Sequence, residues 1–165
     1  MTTAGPDADA GMGWIARLDL QPHPEGGWFR RIYTASGEIA TSGGSRPLAT
    51  SIYYLLAGAQ RSGKLHRNRS DILHFLIDGG PVDYFTLAPD GELSATTLGP
   101  SLRHLCVPGG HWKASRLAED AGHALVAEVV VPGFDFADHE YASEGGVRRL
   151  APGLVETLRC FLSGQ

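Results

Sequence analysis

The stretch Ser62-Gly63-Lys64-Leu65-His66-Arg67-Asn68-Arg69-Ser70-Asp71-Ile72-Leu73-His74-Phe75 sets two strand candidates, Gly63–Arg67 and Ile72–Ile77, on either side of a polar turn. Both carry side chains able to do chemistry: His66, Asn68, Asp71 and His74. Gly79 follows, and further along the chain Pro108-Gly109-Gly110-His111-Trp112-Lys113 adds an imidazole and an ammonium group behind a second turn.

Outward from this stretch the same texture continues. Short runs rich in β-branched and aromatic residues alternate with turn chemistry: Trp28–Thr34, Leu48–Leu56, Val82–Leu87, Leu93–Thr97, Arg103–Val107, Trp112–Arg116 and Ala124–Val131. Asp90-Gly91 suits a tight hairpin, and Pro108-Gly109-Gly110 supplies another break. This predicts an all-β sandwich or barrel with antiparallel connections. Residues 1–12 are small and polar, too poor in apolar area to offset the entropy of ordering, and read as a flexible tail before a single domain over 13–165. Trp14, Ile15, Leu18 and Leu20 suit a short helix stopped by Pro22 and Pro24. Leu154, Val155, Leu158, Phe161 and Leu162 suit a terminal amphipathic helix.

Composition narrows the partners. The 165 residues carry a formal charge of −4, with 14 basic against 18 acidic side chains, so no field is present that would gather a polyanion; nucleic acid is not expected. The longest apolar stretches, Ile52–Gly58 and Ala124–Gly133, fall short of the roughly 20 residues of a spanning helix, and no membrane is expected. With two cysteines and no signal-peptide pattern in residues 1–12, the expectation is a cytoplasmic protein. Cys106, in a strand run, reads as a small buried hydrophobe.

Five segments in order carry a family likeness: His23-Pro24-Glu25-Gly26-Gly27, Ser51–Leu56, His66 with Asp71 and His74, Gly110–Lys113, and Pro132-Gly133-Phe134-Asp135-Phe136. Together they resemble the cupin superfamily, most closely the small single-domain cupins long catalogued as a domain of unknown function. The resemblance implies a double-stranded β-helix, the jelly-roll barrel, with short flanking helices at both ends and a mouth that holds a metal or an organic ligand. It does not name a reaction, since one scaffold hosts many. Small cupins commonly pair through sheet edges, so a homodimer is expected.

The metal set usual in cupins falls here on His66, Asn68, Asp71 and Lys113. An amide is a poor transition-metal ligand and a protonated lysine repels one, so no cofactor is expected. Recruitment of His74 or His111 beside His66 and Asp71 is the alternative, giving an iron or zinc site. Strand parity resists it, because a regular strand turns Asp71 and His74 to opposite faces.

The metal-free reading makes His66 a base oriented by Asp71, with Lys113 steadying a developing enolate or a substrate carboxylate. Resemblance to the metal-free sugar-nucleotide epimerases among cupins makes isomerisation, epimerisation or a related proton transfer the leading expectation, on a carbonyl- or carboxylate-bearing small molecule. A metal-dependent oxygenase or lyase and a non-catalytic sugar or organic-acid binder are the alternatives. Tyr54, His74, Trp112, Glu128, Phe134 and Arg30 are the candidate substrate contacts. Glu128 stands out because it interrupts an otherwise uncharged run and needs a partner. Arg30 and Arg31 alternate faces, so one of them can meet an anion. Each has a bland counterpart: a turn aspartate at Asp71, a core histidine at His74, packing aromatics at Tyr54 and Trp112. His23, Glu25 and the paired glycines read as a turn, and His104, His123 and His139 receive no role.

Overall fold

The computed structural model describes residues 6–163. Helix α1 (Pro6–Leu18) leads into strands β1 (Gln21–Pro22), β2 (Trp28–Thr34), β3 (Glu38–Thr41), β4 (Gly44–Pro47), β5 (Thr50–Ala57), β6 (Ser62–Asn68) and β7 (Asp71–Gly79). Then come β8 (Val82–Leu87), β9 (Leu93–Leu98), β10 (His104–Val107), β11 (Trp112–Leu117), β12 (His123–Val131) and β13 (His139–Tyr141). Helices α2 (Glu144–Leu150) and α3 (Val155–Leu158), joined by a short 3-10 turn, follow, and a further 3-10 turn over Arg159–Phe161 ends the regular structure. One sheet runs β1-β2-β5-β12-β7-β10 and the other β13-β6-β11-β8-β9, all neighbours antiparallel, with β3 and β4 forming a separate hairpin. The two sheets face each other as the jelly roll expected. Among the described residues no helix is long and apolar enough to cross a membrane.

Three packed layers explain why the central strands are apolar on both faces. Tyr54, Leu56, Leu76, Tyr84 and Val126 fill the space between the sheets. Leu55, Ala57 and Leu125 point the other way, onto Trp14, Ile15 and Leu18 of α1. On the far side Leu65, Leu87 and Ala114 lie under Val147, Val155, Leu158 and Phe161 of the C-terminal segment. β12 therefore lacks the polar alternation of a strand with one wet face.

α1 begins at Pro6, inside the stretch expected to be a tail; residues 1–5 lie outside the described residues. Gly11 is buried, and a side chain there would meet Cβ of His123 at 2.6 Å, so the glycine that looked like a tail residue lets the helix approach the sheet. The helix stops where Asp19 takes a left-handed φ of 52° and Leu20 N–H returns to the Ile15 carbonyl. The expected terminal helix is shorter, α3 followed by a 3-10 turn over Arg159–Phe161, and α2, ended ahead of Pro152, precedes it in a stretch where no helix was expected. Cys106 is exposed on β10, contrary to expectation, because it alternates with the buried Val107 on an edge strand.

Register irregularities set which side chains enter the barrel. In β6 Lys113 pairs with His66 but Ser115 pairs with Gly63, so two residues of β6 oppose one of β11 and both Gly63 and His66 face inward. In β2 a similar shift between Arg31 and Tyr33 leaves Arg31 directly across from the inward Ile52. Arg31, Ile52, Glu128 and His74 thus form one inward row across four strands, opposite the row His66–Lys113.

The loop His23–Gly27 enters the barrel mouth on backbone that only glycine adopts easily. Gly26 has φ +101°, and any side chain on it would collide with the Ser62 carbonyl oxygen. Replacing it, Gly26→Ala, is expected to cost on the order of 1–3 kcal/mol and to displace Glu25; urea denaturation checks this, and an unchanged midpoint would show that the loop is free to move.

Candidate functional site

The carboxylate of Glu25, buried at the barrel mouth, organises one end of the interior. Its loop is held by Lys64 N–H donating to the Glu25 carbonyl at 2.7 Å and by Tyr54 O–H donating to the Gly26 carbonyl at 2.9 Å. Oε1 accepts a hydrogen bond from Nε2 of His139 at 2.8 Å, and Oε2 lies 3.3 Å from Nε2 of His66. The His66 and His139 rings stack with centroids 5.2 Å apart.

The tautomer of His66 follows from its other nitrogen. Nδ1 lies 2.7 Å from the Lys64 carbonyl oxygen, which can only accept, so Nδ1 carries the proton. In the neutral ring Nε2 then presents a bare lone pair to Glu25. Burial, followed by the charge of Lys113, lowers the His66 pKa to about 4 against the opposing pull of Glu25, so the ring is a free base at neutral pH. For Glu25 burial acts to raise the pKa, but His66, His139, His23 and Lys113 outweigh it and hold the carboxyl at about 2.

A second buried carboxylate lies deeper. Glu128 Oε1 is 3.6 Å from Lys113 Nζ and 3.1 Å from Nδ1 of the fully buried His74, whose ring packs on Tyr84 at 4.7 Å. Burial alone would raise the Glu128 pKa, yet Lys113 and His74 hold it well below the usual carboxylate range. The His74 pKa is lowered by burial and by Lys113.

Between these groups lies an open-mouthed hollow lined by Phe29, Ile52, Phe134 and Phe136 together with Glu128 and His66. Its rim is locked. Arg46 of β4 makes a buried two-point ion pair with Asp138, at 2.7 and 3.1 Å, which fixes the segment bearing Phe134 and Phe136.

The candidates from sequence divide. His66, Glu128 and Phe134 line the hollow; His74 and Lys113 are buried just beneath it. Tyr54 is in the core, anchoring the Glu25 loop. Three are not in the site. Asp71 is exposed, turned away by strand parity, and caps the Gly109 N–H at 2.8 Å, so the Lys64 carbonyl and not Asp71 orients His66. Trp112 faces outward under the guanidinium of Arg67 at 4.5 Å. Arg30 is exposed and donates to the Leu18 carbonyl, while its neighbour Arg31 lines the hollow.

His23, Glu25 and His139 were missed. The paired glycines beside Glu25 signalled a turn without showing what it delivers, and His139 reaches the site only because three polar residues form an edge strand on β6, His139 opposite Asn68.

The metal positions usual in cupins do not assemble: Asp71 points away and Lys113 is a cation paired with Glu128. A different group does, the ligand atoms of Glu25, His66 and His139 lying within 4.8 Å of one another.

Residues 12–142 match the family described as Cupin superfamily (DUF985). The chain belongs to that family. It is 38% identical to the uncharacterized protein YML079W of Saccharomyces cerevisiae, over 74% of this chain and 70% of the yeast protein. A hypothetical protein from Leishmania major superimposes with a TM-score of 0.85 at 27% identity, covering 93% of this chain and 98% of that one. Protein SO0799 of Shewanella oneidensis does so at 0.82 and 28%, covering 93% and 97%. These likenesses support the fold of this cupin and leave its chemistry to the site.

His66 is expected to titrate near 4 by NMR; Glu25→Gln should lower that value further and Lys113→Met should raise it. Since the free imidazole titrates near 6.5, protons favour the unfolded chain, and this group should erode stability as pH falls from 6.5 to 4 while contributing nothing above. A His66 value of 6.5 would contradict the description.

Proposed function

We propose that this cupin is a small-molecule enzyme that moves a proton on a carbonyl- or carboxylate-bearing substrate without a metal, as an isomerase, epimerase or related catalyst, with His66 as the base. The observation that carries this reading is the bare Nε2 of His66 set 3.3 Å from a Glu25 oxygen at the edge of an apolar hollow. Two electron-rich atoms that close disfavour each other until a proton arrives between them.

A carbon acid bound in the hollow supplies that proton. As Nε2 takes it from the carbon beside a carbonyl, the new imidazolium is paired with Glu25, and the electron pair left on the substrate passes to the carbonyl oxygen. Delivery of a proton to the opposite face of that carbon completes an epimerisation, and delivery to the adjacent atom an isomerisation. Phe29 and Phe134, with Phe136 at the exposed rim, make the wall apolar and strengthen these charges. Lys113, paired with Glu128 below, supports the site electrostatically, and in this reading the steadying of an enolate or carboxylate expected of it from sequence passes to other groups.

One observation favours a second reading: Glu25, His66 and His139 are a two-histidine, one-carboxylate group of the kind that holds iron or zinc. A metal there would supply Lewis-acid or oxygen chemistry, and the Lys64 carbonyl would then orient a ligand, as backbone carbonyls often do.

Deuterium exchange into a panel of small keto acids and sugars, followed by NMR, decides among the readings. Chelator-treated wild type is expected to exchange at least one panel member, with His66→Ala slower by ~100-fold or more. Exchange abolished by chelation and restored by iron or zinc would support the metal reading. Ligand binding with no exchange in either form would overturn both in favour of a binding protein.

A further inference from the structure

Two groups in the wall of the hollow are left without the partner their chemistry calls for. Arg31 lines the exposed rim of the hollow across from Ile52; its Nη1 donates to the Thr34 hydroxyl at 3.4 Å, and among the described residues no carboxylate lies within 4.0 Å of it. The buried arginine near the mouth, Arg46, by contrast holds Asp138. On the facing sheet Asn68 follows His66 by two residues, so both side chains enter the hollow, roughly 7 Å apart along the strand. Its amide orientation is set by Ser70 N–H donating to Oδ1 at 3.1 Å, which leaves Nδ2 as the free end. That Nδ2 is buried, in a residue only 4% exposed, and has no acceptor among the described residues. A buried donor without an acceptor costs about 1–3 kcal/mol, and a ligand oxygen removes that cost.

We propose that the hollow recognises a keto acid at two points, its carboxylate on the guanidinium of Arg31 and its keto oxygen on Nδ2 of Asn68. An arginine fork matches a carboxylate in shape as well as charge. An amide donor suits a carbonyl oxygen and strengthens as negative charge builds on it. The apolar walls formed by Phe29, Phe134 and Phe136 take the rest of the molecule and favour a hydrocarbon or aromatic tail. The proposal rests on the proton-transfer reading for its substrate class, and it gives the position where cupins that bind metal place a second histidine a different task. Asn68 is a substrate contact that polarises the carbonyl; Arg31 sets specificity.

Binding, measured by calorimetry without turnover, tests this separately from the action of His66. The probes are pyruvate and phenylpyruvate, the corresponding amides, which lack the charge, and propionate and phenylpropionate, which lack the keto oxygen. Wild type is expected to bind at least one keto acid ten-fold or more tighter than its amide and its desoxo acid, with phenylpyruvate the better of the two. Arg31→Met should erase the preference for acid over amide, and Arg31→Lys should restore part of it. Asn68→Asp, nearly isosteric, should erase the preference for the keto oxygen and leave the amide discrimination in place. His66→Ala should retain both preferences. Equal binding of acid and amide by wild type, no binding of either keto acid, or folded variants that keep full discrimination would overturn the proposal. Retained discrimination without deuterium exchange would instead overturn the base assigned to His66 and leave this recognition standing.

Discussion

A carboxylate sealed inside an apolar barrel must be matched by positive or donating groups, because the penalty for leaving it alone is several kcal/mol. Glu25 is such a group, and most of the geometry at the mouth follows from satisfying it. Its loop turns on Gly26, is tied to β6 through Lys64, and is braced by the hydroxyl of Tyr54. His139 comes from an edge strand that exists only by pairing with β6. His66 comes from the inward face of β6 itself, brought into phase by the irregularity opposite Ser115. Distant segments converge because one charge requires them.

The deeper carboxylate repeats the pattern with a different balance. Glu128 has an ammonium at 3.6 Å and an imidazole at 3.1 Å, so its charge is met within the protein. Glu25 is met by one clear hydrogen bond from His139 and a lone pair from His66, so its surroundings still lack a proton at one point. The pair below is matched in charge, although neither ring nitrogen of His74 meets the geometry of a hydrogen bond among the described residues, and the Glu25 edge above opens to the hollow.

Much of the barrel was legible in the sequence because the signal was local. Trp28–Thr34 and Val82–Leu87 have strand periodicity and formed with those bounds. Asp90-Gly91 specified its hairpin, with Gly91 at φ +90°. Glu128 was marked by its interruption of an uncharged run, whereas the inward turn of His66 depends on the register irregularity in β6. What was not legible depended on partners far along the chain. Glu25 and His139 are 114 residues apart, and neither carries a local pattern that announces the other. Arg31 and Arg30 were equivalent by parity until the pairing with β5 chose the inward one. Asp71 was drawn into the site by likeness to a metal motif, whereas its position at the start of β7 left it to a turn. Gly11 looked like part of a tail too small to fold, and its lack of a side chain is what lets α1 dock.

Neutron diffraction from a deuterium-exchanged crystal at neutral pH tests the central claim most directly, since it locates the proton on each ring nitrogen. The account requires deuterium on Nδ1 of His66, aimed at the Lys64 carbonyl, and none on the Nε2 that faces Glu25. Deuterium on Nε2 with a bare Nδ1, or a Glu25 carboxyl that is itself protonated, would contradict it.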